Sequence, residues 1–258
     1  MRSRRLKYRF ANRGYAALRW PSGLSMMPSQ LSPEMAQLSL YECCLMAGLS
    51  GPVKARQKTG ISHSGIKSLA KKQVKLMRLN AYHNSAHIGQ VILACGLLAD
   101  AAQISQIERD ILIVAALIHD YRHLGAKRNK TALWQEALSC DEALPRLIRG
   151  GCDSRLIALF YEMVLATSPL ADEEAHSIKG NDILSLLLDA DLFASLFLPK
   201  ASVDRLTANL KFEERLSVPH AQLRDGFLAQ CAEKGLASLA GGMLHKRLKP
   251  SMTYFEAH

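Results

Sequence analysis

The chain has 258 residues, of which 48% are hydrophobic, and its formal net charge at pH 7 is +10. This length and composition allow a sizeable buried core and exclude a wholly disordered chain. Residues 1–20 contain seven basic side chains and no acidic one, so the remaining residues have a net charge of only 10 − 7 = +3. The excess positive charge is therefore a local feature of the N-terminus.

Residues 1–33 are basic, contain serine and proline, and show only weak hydrophobic periodicity. We expect them to form a disordered extension, whereas residues 34–258 are expected to form one folded domain. Arginine richness without acidic residues also fits an organelle presequence or a nucleic-acid-binding arm, and both stay open as alternatives.

The cysteines and the apolar runs bear on the compartment. The six cysteines form no Cys-x-x-Cys pair, and three of them lie in apolar helical patterns, which is typical of reduced and buried thiols. No apolar run approaches the length of about 20 residues that a membrane span requires, and the N-terminus lacks the apolar segment of a secretory signal. The sequence therefore predicts a cytoplasmic protein that does not enter a membrane.

The folded part shows repeated helical periodicity. The first helix is predicted to begin at Ser32-Pro33-Glu34, because serine caps a helix, proline is tolerated at its first position and glutamate favours its positive end. It is predicted to end near Gly48. Further helices are predicted over about 66–79, 84–102, 106–119, 131–144, 153–167, 182–197, 201–216 and 220–240, with caps at Asp153 and Asp182. No alternating strand pattern is present, so the predicted fold class is all-α.

The predicted helix over 66–79 has a basic face, formed by Lys67, Lys71, Lys72, Lys75 and Arg78. Such a face is usually solvated. The alternative is a positive rim that draws anionic substrates into a neighbouring site. The connection from Gly51 to Gly65 precedes this helix, and His63 within that connection is expected to be solvated.

Four of the nine histidines gather in one short stretch, together with an aspartate. His83 and His87 are four residues apart, so on a helix they would share one face, and Asn84 can cap that helix. His119 and Asp120 end an otherwise apolar helix, where a polar pair is costly unless something satisfies it. A metal ion would do so, because imidazole nitrogen and carboxylate oxygen suit Zn, Fe, Mn or Mg sites.

Three further residues belong to the same pattern. His123 adds an imidazole within one turn of His119. A later apolar run contains Asp189 and Asp191, and buried carboxylates are rarely left unpaired. These two aspartates point about 200° apart on a helix, so only one of them can face a given site.

The order His87, His119-Asp120, Asp191 resembles the H…HD…D pattern of the HD-domain metal-dependent phosphohydrolases. That superfamily is all-α and includes the cyclic-nucleotide phosphodiesterases. Ala190-Asp191-Leu192 is similar to the closing segment of the pattern, which favours Asp191 over Asp189 as the ligand.

Two longer segments extend the resemblance to the phosphodiesterases within this superfamily. Residues 82–87 resemble the phosphodiesterase-type opening. His119 to Gly125, followed by Asn129, resembles the second phosphodiesterase signature, with one extra residue before the asparagine. The resemblance covers about residues 66–200 and implies a compact multi-helix domain.

The resemblance also implies roles for individual residues. The implied ligands of a first divalent metal ion are His87, His119, Asp120 and Asp191. Asp120 could bridge to a second metal ion, and the metals could be Mg, Mn, Fe or Zn. His123 would bind or orient that second ion, its water or the substrate phosphate, and His83 would protonate the leaving oxygen.

The activity implied by the resemblance is hydrolysis of a phosphate ester by metal-activated water. The expected substrate is a phosphate ester of a small nucleotide or a related molecule. The sequence has no convincing counterpart of the purine-selecting glutamine and aromatic clamp of the cyclic-nucleotide phosphodiesterases. It therefore supports phosphoester hydrolysis better than cyclic-nucleotide specificity. Three alternatives stay open: an HD protein with two irons that oxidises its substrate with O₂, a nucleotide-sensing domain without turnover, and nucleic-acid binding through the N-terminal arm. The sequence does not indicate an oligomeric state.

Overall fold

The computed structural model describes residues 38–52, 60–125, 133–168, 183–197 and 200–248. The predicted N-terminal extension, Asn129 and the predicted cap Asp182 lie outside these ranges. The described residues form ten helices: α1 (Leu40–Met46), α2 (His63–Leu76), α3 (Ser85–Ala102), α4 (Gln106–Ile118), α5 (Trp134–Arg149), α6 (Ser154–Ala166), α7 (Ile183–Phe197), α8 (Lys200–Glu214), α9 (His220–Lys234) and α10 (Leu239–Leu248). The described ranges contain no β-strand, so the predicted all-α class is confirmed.

Helix α3 lies at the centre of the fold. It is buried from His87 to Ala99 and packs against α1, α4, α7 and α10. The approach of α1 is close at Gly96, where an added Cβ would lie 2.7 Å from the Cα of Ala47. Because glycine has no side chain at this point, the two helix backbones can pack directly against each other.

Within the described residues, α3 is also the one helix long and apolar enough to cross a membrane by length and composition. The prediction that no apolar run approaches this length is therefore wrong for α3. However, 72% of its 18-residue window is buried inside the protein. Packing against the surrounding helices accounts for this apolar composition.

Polar caps fix where several helices begin. The predicted caps at Asn84 and Asp153 are confirmed, since their side chains accept hydrogen bonds from the first turns of α3 and α6. The first described helix begins at Leu40, where Ser39 and Glu42 form a reciprocal capping box. The predicted cap at residues 32–34 lies outside the described ranges.

Other helix boundaries also differ from the prediction. The single helix predicted over 220–240 is interrupted, and Gly235 in the break has a φ of +71°, which ends a helix readily. Helix α5 continues past its predicted end at 144 and contains Pro145. The expectation of a solvated His63 is also wrong: its Nδ1 lies 2.8 Å from the hydroxyl of Tyr41, and its Nε2 lies 2.8 Å from the carbonyl oxygen of Ser50.

The five cysteines with described side chains are free, as predicted. Cys43 and Cys44 on α1 and Cys95 on α3 are buried in the core that these two helices share. Burial raises the pKa of Cys43 to about 12 and holds the pKa values of Cys44 and Cys95 well above the ordinary thiol value. These thiols therefore remain protonated near neutral pH.

Candidate metal centre

The cap at the start of α3 places His87. The side-chain oxygen of Asn84 accepts hydrogen bonds from the backbone N–H groups of Ala86 at 2.8 Å and His87 at 3.3 Å. His87 therefore lies, buried, in the first turn of α3. His83 lies in the turn before the cap, so the prediction that both histidines share a helical face is wrong for His83. The two rings nevertheless lie 5.7 Å apart.

His119 ends α4 and is held by the backbone of that helix. Its Nδ1 lies 2.8 Å from the carbonyl oxygen of Ala116. A carbonyl oxygen only accepts, so Nδ1 bears the hydrogen of the neutral ring and Nε2 is an acceptor. Nε2 is buried and has no hydrogen-bond partner within the described residues. An unpaired buried acceptor of this kind costs about 1–3 kcal/mol.

Four side chains meet around this nitrogen, and we call them the His–Asp cluster: His87, His119, Asp120 and Asp191. Nε2 of His87 lies 3.3 Å from Oδ2 of Asp120 and 3.2 Å from Oδ1 of Asp191. Nε2 of His119 lies 3.2 Å from the same Asp120 oxygen and 3.5 Å from the same Asp191 oxygen. The structure thus brings together the four side chains that the sequence pattern suggested as ligands.

The His–Asp cluster attracts positive charge. Burial lowers the pKa of His87, but the hydrogen bonds and charges of Asp120 and Asp191 outweigh burial and raise it to about 9. Burial also lowers the pKa of His119, but the charges of Asp120 and Asp191 raise it well above its usual value. Burial raises the pKa of both carboxyls, but the facing imidazoles hold the two pKa values below their usual range. A divalent cation would satisfy the same four groups.

Asp189 lies apart from the His–Asp cluster. Its carboxylate accepts hydrogen bonds from the backbone N–H groups of Ala237 at 2.7 Å and Ser238 at 2.9 Å, at the start of α10. Burial nevertheless raises the pKa of Asp189 above its usual value. Of the two aspartates on α7, the structure places Asp191 in the cluster and Asp189 against α10.

A second group adjoins the first, and we call it the His–Glu cluster: His83, His123 and Glu213. Oε1 of Glu213 lies 2.7 Å from Nδ1 of His83, and Oε2 accepts from the backbone N–H groups of Tyr82 at 2.6 Å and His83 at 3.1 Å. The rings of His83 and His123 stack with their centroids 3.6 Å apart. The carboxylate therefore fixes the orientation of His83.

In the His–Glu cluster, the pKa values of His83 and Glu213 are both lowered, but for different reasons. Burial is the largest influence on His83 and lowers its pKa, although Asp120 and the hydrogen bond to Glu213 raise it. Burial raises the pKa of Glu213, but the adjacent imidazoles of His123 and His83 hold that pKa below its usual range. Glu213 is therefore ionised near neutral pH, which makes it an acceptor only.

Backbone geometry brings His123 to this position. Arg122 and Gly125 have φ values of +60° and +56°, so the chain after α4 turns sharply on both sides of His123. The side-chain amide of Asn80 donates to the carbonyl oxygens of His83 at 3.0 Å and His123 at 2.7 Å. Asn80 thereby links the two segments that supply the stacked rings.

Sequence reasoning missed Glu213. It lies at the end of α8 and is separated from His83 by 130 positions. Its neighbours Phe212 and Glu214 give it the local appearance of a solvated helix end, so no pattern singles it out. Its fit is tight, since a Cβ added to Gly125 would lie 2.9 Å from Cγ of Glu213.

No family model matches this sequence, and no curated protein shows a significant match. The fold, however, is similar to those of solved structures, among them the following two. One is the phosphodiesterase domain of the RhoPDE fusion protein from the choanoflagellate Salpingoeca rosetta, with a TM-score of 0.60, 17% identity, and coverage of 91% of this chain and 94% of that chain. The other is LmjPDEB1 in complex with IBMX, with a TM-score of 0.62, 15% identity, and coverage of 93% and 92%. The chain thus has the helical architecture of these two structures along most of its length.

Proposed function

We propose that this protein is a metal-dependent phosphohydrolase of the HD type, which hydrolyses a phosphate ester of a nucleotide or a related small molecule. The observation that carries the proposal is the convergence of the His–Asp cluster, whose members come from α3, α7 and the end of α4. The fold supports the same reaction class, because one similar structure is a phosphodiesterase domain. The other was solved with the small molecule IBMX.

The donor set fits a divalent cation. The bond from Nδ1 of His119 to the backbone of Ala116 fixes the ring so that Nε2 faces two carboxylates. A bond of this kind to the other ring nitrogen commonly orients a metal-binding histidine. Two imidazoles and two carboxylates suit Mg, Mn, Fe or Zn to different degrees, so the ligand types alone select no single metal.

His87, His119, Asp120 and Asp191 would hold the first ion, and Asp120 is the ligand that would extend toward a second. Bound divalent ions supply Lewis acidity, which activates a water and offsets charge on the phosphoryl oxygens. The residues of the chain position the groups of the site and shield them from water. His87 and His119 are both almost fully buried, and buried charges interact more strongly than solvated ones.

The His–Glu cluster is suited to proton transfer. Glu213 holds the Nδ1–H of His83, which leaves Nε2 as the nitrogen that exchanges a proton. When Nε2 is protonated, His83 can donate to the departing oxygen of the ester, and its lowered pKa favours release of that proton. His123 stacks on His83 and restricts the movement of its ring.

The test combines elemental analysis of the purified protein with a panel of phosphomonoesters, phosphodiesters and nucleotides. We expect the wild-type protein to bind a divalent metal and to hydrolyse at least one member of the panel. Asp120→Ala should lose both properties. His63→Ala is the matched control, because His63 is a half-buried, hydrogen-bonded histidine outside both clusters.

Three results would contradict the proposal. Full turnover by a metal-free His119→Ala/Asp120→Ala double variant would exclude the His–Asp cluster as the reaction centre. Bound iron with a product that forms only in the presence of O₂ would instead indicate an oxygenase. Tight nucleotide binding with no turnover of any panel member would indicate a sensing domain.

A further inference from the structure

We propose that Asp189 is a positioning residue for Asp191: its bonds to the start of α10 fix how α7 presents the Asp191 carboxylate to the His–Asp cluster. The inference rests on the proposed metal-binding function of that cluster. It extends the machinery of the site to α10, a helix that contributes none of the four proposed ligands.

The bonds of Asp189 are specific and buried. Besides the backbone N–H groups of Ala237 and Ser238, the hydroxyl of Ser238 donates to Oδ2 of Asp189 at 2.5 Å. The same hydroxyl oxygen accepts from the N–H of Gly241 at 2.8 Å and so caps α10. Asp189 is 1% exposed. A buried carboxylate at the positive end of a helix is stabilised by the free N–H groups there.

The first turn of α10 is seated directly on this carboxylate. A Cβ added to Gly241 would lie 2.1 Å from Oδ2 of Asp189 and 2.9 Å from its Cγ. The next residue, Gly242, is different, because a Cβ added there meets nothing within 4 Å. Adjacent glycines of one helix therefore differ in whether a methyl group would displace Asp189.

Helix geometry transmits the position of Asp189 to Asp191. Two residues along a helix correspond to a rotation of about 200°, so anchoring Asp189 on one side of α7 directs Asp191 to the opposite side. Helix α10 packs against α7 and also against α3, which bears His87. The segment that binds Asp189 therefore bridges two helices that supply the cluster, and coordination tolerates deviations of only about 0.2 Å.

A purely structural role would have a different signature. If the contact only stabilises the fold, its loss lowers the thermal midpoint of the metal-free protein and leaves the metal site unchanged in the molecules that remain folded. If it positions Asp191, the folded molecules bind metal more weakly and with altered coordination.

The decisive comparison is between Gly241→Ala and Gly242→Ala in the full-length, chelator-treated protein titrated with Co²⁺. We expect Gly241→Ala to weaken Co²⁺ binding about tenfold, since disturbing residues that support ligands commonly costs 10- to 100-fold in metal affinity. Gly242→Ala should bind like the wild type. Asp189→Asn should act like Gly241→Ala, because its amide group would face N–H donors.

The coordination itself supplies the second readout. At saturating Co²⁺, the visible absorption spectrum of Gly241→Ala should shift toward that of Asp191→Asn, which removes the carboxylate directly. Unchanged affinity and an unchanged spectrum in Gly241→Ala and Asp189→Asn, even with a lowered thermal midpoint, would overturn the inference.

Two outcomes separate this inference from the proposed function. If the wild-type protein binds no Co²⁺, the proposed function fails and the inference fails with it. If wild type and Gly242→Ala bind Co²⁺ and Gly241→Ala binds it equally well, only the inference fails. Should Gly241→Ala not fold, Ser238→Ala removes one of the three donors, and wild-type affinity and spectrum in that variant would again overturn the inference.

Discussion

The His–Asp and His–Glu clusters are built from the same two chemical groups, imidazole and carboxylate, yet they differ in whether their hydrogen bonds are complete. The ligand atoms of His87, His119 and Asp191 lie within 4.8 Å of one another, and so do those of His83, His123, Glu213 and the neighbouring Glu214, so spacing does not distinguish the two sites. In the first, Nε2 of His119 is unpaired within the described part of the chain and faces two carboxylates. In the second, Glu213 accepts from two backbone N–H groups and from His83.

This difference separates two tasks. Two carboxylates that share two imidazoles have an excess of acceptors, which a cation would satisfy. The carboxylate of Glu213 is already satisfied by N–H donors, and it is suited to orient a proton-bearing ring. Hydrogen-bond completeness is therefore more informative here than the mere proximity of histidines and acids.

The largest effect is expected from His119→Ala, which removes the unpaired acceptor. Without Nε2, the cluster loses a proposed ligand that is held in place by the backbone, so bound metal should fall below one-tenth of the wild-type content and turnover should fall to background. Elemental analysis and the phosphoester assay measure the two quantities. Wild-type metal content in this variant would mean that the two clusters do not divide the tasks as described.

A smaller effect, confined to catalysis, is expected in the His–Glu cluster. His83→Gln should lower kcat about 10²- to 10⁴-fold, the usual contribution of a general acid, and Glu213→Gln should lower it less, because the ring remains. Metal content should stay at the wild-type level in both variants. Loss of metal in Glu213→Gln would instead assign the His–Glu cluster a direct part in metal binding.

The position of Glu213 can also be disturbed from the side of Gly125, which lies against it. Gly125→Ala places a methyl group 2.9 Å from Cγ of Glu213 and adds the strain of a positive φ, which costs about 1–2 kcal/mol. We expect kcat to fall in the same direction as in Glu213→Gln, with metal retained. Gly226→Ala is the control, because a Cβ there meets nothing within 4 Å. Equal kcat in the two alanine variants would rule out this contact as a determinant of rate.

The smallest effect is expected at the far end of α4, which gives a baseline for stability. Ser105→Ala removes the cap of the capping box with Glu108 and should lower the free energy of unfolding by about 1 kcal/mol at pH 7. The bonds to Ser105 lower the pKa of Glu108 from 4.5. Its contribution is therefore present above pH 4.5 and disappears as the pH falls through the lowered value.

Urea denaturation at pH 7 and at pH 3 measures this change. The difference between wild type and Ser105→Ala should shrink at the lower pH. A difference that grows on acidification would contradict the assignment of Glu108 to the cap. Metal content and kcat should be unaffected at pH 7.

The residues of the His–Asp cluster were predictable because each lies in a short sequence pattern that is informative without knowledge of the fold. His119 and Asp120 are a polar pair at the end of an apolar helix, and His87 follows a good cap at Asn84. The choice of Asp191 over Asp189 came from the resemblance of its neighbours. In each case the informative signal lay within a few residues of the side chain that joins the cluster.

The rest depended on which helix ends meet in the folded chain. Glu213 reaches His83 only because the end of α8 packs beside the turn before α3. Likewise, the partner of Asp189 is the start of α10, which exists because the chain breaks at Gly235. No pattern within a single segment predicts these contacts, because they depend on how distant helices pack together.

The buried thiols between α1 and α3 have a practical consequence for measuring how the molecule opens. Only the thiolate reacts rapidly with electrophiles, and Cys43, Cys44 and Cys95 are both inaccessible and protonated. Their modification therefore requires the two helices to separate. The rate at which a small thiol reagent labels these positions reports how often the central helix is exposed, and the measurement requires no substitution in the protein.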